Sequence, residues 1–187
     1  MKRLLGLSEM IDRALARIAL AAGWLFFVAT AVICFDVVTR KFGYQLPGFG
    51  STRLQELEWH LHAAIFSFWL GFAYVRNAHV RIDTLTAGLR PRSHAWLELA
   101  GCIMFALPYC VVALYFGADY AWTAWARNEA SESLSGLPYR WIPKAIIFAG
   151  MLLLLAAVLS VALKAITYLF GADGLRERAA FAGMRKR

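Results

Sequence analysis

Three uncharged apolar runs punctuate the chain, at Ile18–Phe35, Leu99–Ala118 and Ala145–Leu163. A fourth run, Leu57–Val75, is apolar except at its start, where Glu58, His60 and His62 interrupt it just after Glu56. A hydrocarbon core of ~30 Å is crossed by roughly 20 residues at ~1.5 Å each, and a backbone without water must bond to itself. The pattern therefore predicts an all-α membrane protein with four transmembrane helices, at about 18–39, 55–75, 97–120 and 143–168. The whole of 1–187 reads as a single integral-membrane domain, with no internal repeat.

The flanks of these runs set the orientation. Lys and Arg number thirteen in the N-terminal, middle and C-terminal segments together, against six in the other two connections. The positive-inside rule then places both termini in the cytoplasm and sends residues near 40–56 and 119–144 outward. In residues 1–17, Leu4, Leu7, Ile11 and Leu15 recur at helical spacing between Lys2, Arg3, Arg13 and Arg17. This predicts an N-terminal amphipathic helix that either lies on the membrane face or simply extends the first span. Ala29-Thr30-Ala31 resembles a leader cleavage site, but the apolar run continues past it and reads as an anchor. Most of the seven tryptophans fall near predicted span ends, as an interfacial belt does.

Composition agrees: 60% of the 187 residues are hydrophobic and 17% charged, which excludes an ordinary soluble domain. The net charge of +8 sits between the apolar runs, so it reads as topology and lipid contact, not nucleic-acid binding. Arg40, Lys41, Arg76, Arg90, Arg92 and Lys164 are the expected lipid-headgroup residues, Lys164 by snorkelling from the end of the fourth run. Cys34, Cys102 and Cys110 all lie in oily surroundings and read as buried thiols, with no disulfide or zinc pattern.

The polar start of the second run admits three readings: a metal or haem site, a proton or ion path, or a contact surface. His60 and His62 are two apart and point in different directions, while His79 and His94 belong to the opposite membrane face, so no axial pair forms at one depth. A metal site built on Glu56 and His60 would need a further ligand motif of the Glu-x-x-His kind, which the chain lacks. A conduction path needs polar groups at several depths, and the spans offer few beyond Thr30, Ser67, Tyr74 and, near the outer end of the first, Asp36. We therefore expect no catalytic residue, cofactor or metal. A contact surface remains, with Glu56–His60 and Glu58–His62 as i, i+4 pairs near the outer interface.

Three stretches carry a family resemblance: "FDVVTRKFG" (35–43), "STRLQELEWHLHAAIFSFWLGFAYVRNAHVRIDTL" (51–85) and "WARNEASESLSGLPYRWIPKAIIFAGMLLLL" (125–155). With four spans and both termini inside, the chain resembles the small membrane subunit of tripartite ATP-independent periplasmic (TRAP) transporters, the DctQ-like proteins. The resemblance implies a non-enzymatic inner-membrane subunit in symport of an organic acid. Its implied partners are a large sodium-coupled membrane subunit, which it scaffolds, and a periplasmic binding protein, which it helps to dock. Gln55, Glu56, Glu58 and Trp59 are then expected to meet the large subunit or the chain's own outer loops. Glu129, Ser131 and Glu132 form a solvated loop or part of the dock. His79, Arg81 and Asp83 touch headgroups or fix their loop against the N-terminal helix or the large subunit. A membrane-anchor or cytochrome-like subunit of an oxidoreductase is the alternative.

Overall fold

The computed structural model describes residues 1–44, 48, 50–78 and 88–180, and within them the chain is helical. The order is α1 (Lys2–Lys41), α2 (Ser51–Val75), α3 (Pro91–Gly101), a π-helical turn (Cys102–Ala106), α4 (Leu107–Ala126), α5 (Trp141–Phe170) and α6 (Asp173–Ala179). Three of these stretches are long and apolar enough to cross a membrane: α1, the continuous stretch Pro91–Ala126, and α5. At ~1.5 Å per residue they measure about 60, 54 and 45 Å, so each exceeds the ~30 Å core and carries its charges on the overhang. The second expected span is helical over 25 residues, which is length enough, but its Glu56–His62 start dilutes its apolar content.

Three helices end with the same device. The N–H groups of Tyr44, Ala78 and Glu129 reach back five residues, to the carbonyls of Thr39, Ala73 and Ala124, at 2.9–3.0 Å. Each closure needs a left-handed residue just before it, supplied by Gly43, Asn77 and Asn128 at φ of 66°, 56° and 47°. The π turn has a covalent cause two residues on. Pro108 has no N–H to offer and its ring clashes with the carbonyl four residues back, so the helix widens and the Leu107 N–H bonds to the Cys102 carbonyl instead.

The chain forms two compact units. The first comprises Met1–Arg17, Leu70–Ala113 and Met151–Arg187. Its core joins Ala95, Leu99, Cys102 and Cys110 to Leu154, Val158, Val161, Ala162, Ala165 and Leu169 of α5. Backbone approach is close: a Cβ on Gly71 would lie 2.6 Å from the Leu153 carbonyl oxygen. The second unit comprises Ile18–Trp69 and Leu114–Gly150. There a Cβ on Gly150 would lie 2.7 Å from Ser67 Cβ. Membrane helices gain little by burying apolar groups from lipid, so small residues that bring backbones together do much of the packing.

Several expectations are corrected here. Of the two readings of the N-terminal segment, the extension of the first span is the one observed, and the predicted stripe is the part corrected. α1 runs unbroken from Lys2 to Lys41. Its buried line is Leu5, Ser8, Leu15, Ala19, Ala22, Ala29 and Asp36, one step round from the predicted stripe; Leu7 is exposed. The line follows a seven-residue repeat, the seam of a left-handed helix pair. It admits Ser8 because that residue's hydroxyl donates to the Leu5 carbonyl at 2.8 Å. Cys102 and Cys110 are buried as expected, but Cys34 is exposed on a face of α1 that the chain does not cover.

Candidate functional site

The polar start of α2 is the centre of a network in the second unit. Glu56 accepts from the Ser131 hydroxyl and, at 2.6 Å, from the Leu137 N–H. The Ser131 N–H in turn donates to the Leu137 carbonyl at 3.1 Å, closing the loop on itself. One turn earlier, the Arg53 guanidinium donates to the Ser135 and Gly136 carbonyls at 3.2 and 3.3 Å. Position 136 must be glycine, since a Cβ there would fall 2.8 Å from Glu56 Oε1 and collide with Ser131. The loop between α4 and α5 is thus stapled onto α2 by one carboxylate and one guanidinium.

The rest of the loop is anchored to α5. Lys144 pairs with Glu129 at 2.5 Å and lies over the Tyr120 ring at 3.8 Å. The Arg140 N–H donates to the Glu129 carbonyl at 2.9 Å. At the end of α1, Asp36 is fully buried, pairs with Arg40 at 2.7 Å and accepts from the Ser51 hydroxyl at 3.1 Å. Gln55 reaches the same hydroxyl at 3.5 Å. Gln55, Glu56, Trp59, His60, Tyr120, Arg140 and Lys144 line a cavity of about 610 Å³. The positive charge of Arg140 and the imidazole of His60 add to the field at Glu56.

Glu58 is different. One of its carboxylate oxygens is buried without a hydrogen-bond partner among the described residues, and Glu58 lines a shallow trough with Trp59, His62, Ala63 and Phe66. His60 and His62 therefore serve separate surfaces, as their spacing predicts.

The first unit carries its own polar cluster. Asp12 pairs with Lys164 and accepts from the Ser160 hydroxyl at 2.5 Å. Ser160 also lies 3.2 Å from the Ser8 carbonyl, and Glu9 pairs with Arg178 at 2.8 Å. Lys164, expected at the headgroups, is instead held inside, its side chain 13% exposed. An amine that finds a carboxylate on the neighbouring helix has no reason to reach for the membrane surface.

Of the other expected contact residues, Glu132 is exposed, and so are Arg40, Lys41, Arg76, Arg90 and Arg92. Arg76 lies 5.8 Å over the Phe72 ring. His79, Arg81 and Asp83 lie outside the described residues. Sequence reasoning passed over Asp12, Ser160, Arg53 and Arg140. The signal for the Asp12 cluster was a lone Lys164 in an apolar run and an acid, Asp12, in an amphipathic segment, each in need of the other.

Long apolar helices with ion pairs gathered near their ends define a multi-pass helical membrane protein. The family model of the DctQ component of tripartite ATP-independent periplasmic transporters matches residues 29–167, about three-quarters of the chain. The chain belongs to this family: it is a small membrane subunit of a TRAP transporter, an inner-membrane, non-enzymatic component of a tripartite complex. The other members of that complex are a large membrane subunit and a periplasmic binding protein. No curated protein and no solved structure matches it significantly.

Proposed function

We propose that this subunit crosses the membrane four times, with α2 as the fourth crossing and both termini in the cytoplasm, and braces the large sodium-coupled subunit during uptake of an organic acid. The outward loop 127–140, together with the start of α2, is then the surface offered to the loaded binding protein. Arg40, Lys41, Arg76, Arg90 and Arg92 hold headgroups at the two membrane faces.

The observation that carries this reading is where the charges find their partners. Glu56, Glu129, Asp36 and Asp12 are all answered within the chain by loop, helix-end or facing-helix residues. The flanks are bare: only 17% of the apolar window is buried in α1 and in Pro91–Ala126. A chain built this way holds its own shape and offers long apolar faces to lipid or to another membrane protein. An anion carrier would need broken, polar helices near the middle of the membrane to receive its cargo.

Affinity purification of the tagged subunit from membranes holding all three components tests the assembly. The large subunit should co-purify, and uptake should stop when this chain is removed. Proteoliposomes containing this chain alone should show no organic-acid flux above the empty-vesicle leak; saturable flux there would overturn the reading.

A further inference from the structure

We propose that the Glu58–Trp59–His62–Phe66 face of α2 receives a cationic side chain, lysine or arginine, from a membrane helix of the large subunit. The proposal rests on the assembly reading above and separates two carboxylates that stand two residues apart. Glu56 is saturated by Ser131 and Leu137 of its own loop. Glu58 has a buried carboxylate oxygen with no partner among the described residues. His62, four residues on, does not answer it. Its Nδ1 lies 2.9 Å from the Glu58 backbone carbonyl. A carbonyl only accepts, so Nδ1 carries the proton and the bond stays on the backbone.

Depth and shape identify the occupant. Glu58 lies about 10 Å down the α2 axis from Ser51 and about 25 Å from Val75, within reach of the hydrocarbon layer. An ionised carboxylate at that level needs a counter-charge. With α2 as the fourth crossing, a headgroup amine sits further out, near the start of α2, whereas a helix can carry a cation to the depth of Glu58. The trough is about 520 Å³. That is room for one long side chain and not for a helix. Trp59 is 77% exposed and Phe66 54% exposed, so aromatic walls flank the carboxylate. A guanidinium or ammonium seated there meets the edge of the carboxylate that lines the trough, answers the charge shared with the buried oxygen, and has an indole face beside it.

The test is co-purification of the complex with Glu58→Gln, which keeps the shape and removes the charge. Capture of the large subunit should fall at least tenfold, while the isolated Glu58→Gln subunit melts no lower than wild type, because an unanswered charge has been removed. Equal capture by the variant overturns the proposal. If the wild-type chain itself captures no large subunit, the assembly reading fails first. A photo-cross-linking residue at position 62 gives an independent readout, decisive if the variant melts lower. A covalent adduct with the large subunit supports the proposal; an adduct with lipid or with the binding protein alone overturns it.

Discussion

Replacing Glu56 by alanine tests the staple that joins α2 to the outward loop. The carboxylate receives two charge-assisted hydrogen bonds, from the Ser131 hydroxyl and the Leu137 N–H. Each such bond has a net worth of ~1.5–3 kcal/mol where water is excluded. The network is partly open to water, which brings each bond down to about 1–1.5 kcal/mol and the pair to about 2–3 kcal/mol. The loss is local, because the α5 core of the first unit does not depend on the loop. A local loss of this size raises the open-loop population about 30- to 150-fold, at roughly tenfold per 1.4 kcal/mol. Hydrogen exchange reads it directly, since the Leu137 and Ser131 amides are the ones closed by the staple. In Glu56→Ala both should exchange about 30- to 150-fold faster, while Val158 in α5 keeps its wild-type rate. Glu56→Gln retains one good acceptor and should lose about half of the free energy. Unchanged Leu137 exchange in the alanine variant would refute the staple. Equal acceleration at Val158 would show that the loss is global.

Two further variants follow from the packing. A double-mutant cycle on Asp12→Ala and Lys164→Met, followed by detergent unfolding, should show each single change costing about 2–4 kcal/mol and a coupling of about 1–2 kcal/mol, since each single variant strands a mostly buried charge; additive costs would deny the clasp. Gly71→Ala should destabilise by about 2–3 kcal/mol, because its Cβ would meet the Leu153 backbone at 2.6 Å, where no rotamer can yield; a thermal melt unchanged from wild type would place α2 and α5 further apart than described.

Helix positions were legible because lipid imposes one requirement, an apolar length, that composition records directly. The span expected at 143–168 lies within Trp141–Phe170, and the one at 97–120 within Pro91–Ala126. The helices run past the spans because backbone hydrogen bonding does not stop where the apolar residues do. The face of α1 was misread for a different reason. Hydropathy scores Ser8 and Asp12 as outward-facing, yet both contact Ser160, whose hydroxyl and neighbouring Lys164 answer them from far along the sequence. The role of Glu56 was open on the same ground. Its two alternatives, a partner or the chain's own loop, differ only in where residues 131 and 137 lie. The terminating Asn77 and Asn128 were readable and follow their apolar runs where a left-handed cap is needed.

The placement of these contacts explains why bracing suits this chain. In lipid, apolar faces give little preference for one helix arrangement over another, so what fixes geometry must be directional or sterically exact in fit. The first unit has both, in the Asp12–Lys164–Ser160 cluster and the Gly71–Leu153 approach. The second unit repeats the pairing with the Glu56 staple and the Gly150–Ser67 approach. A transport path would leave such groups open to exchange partners with a passing ion, and each exchange would loosen the fold. Here Asp12, Glu56 and Glu129 are closed on their own chain, which favours a unit that keeps its shape while a neighbour moves. Glu58 stands outside that closure: it lines the trough beside Trp59, His62 and Phe66, and one of its oxygens has no partner among the described residues, so the proposed grip falls on the one α2 carboxylate that the chain leaves unanswered.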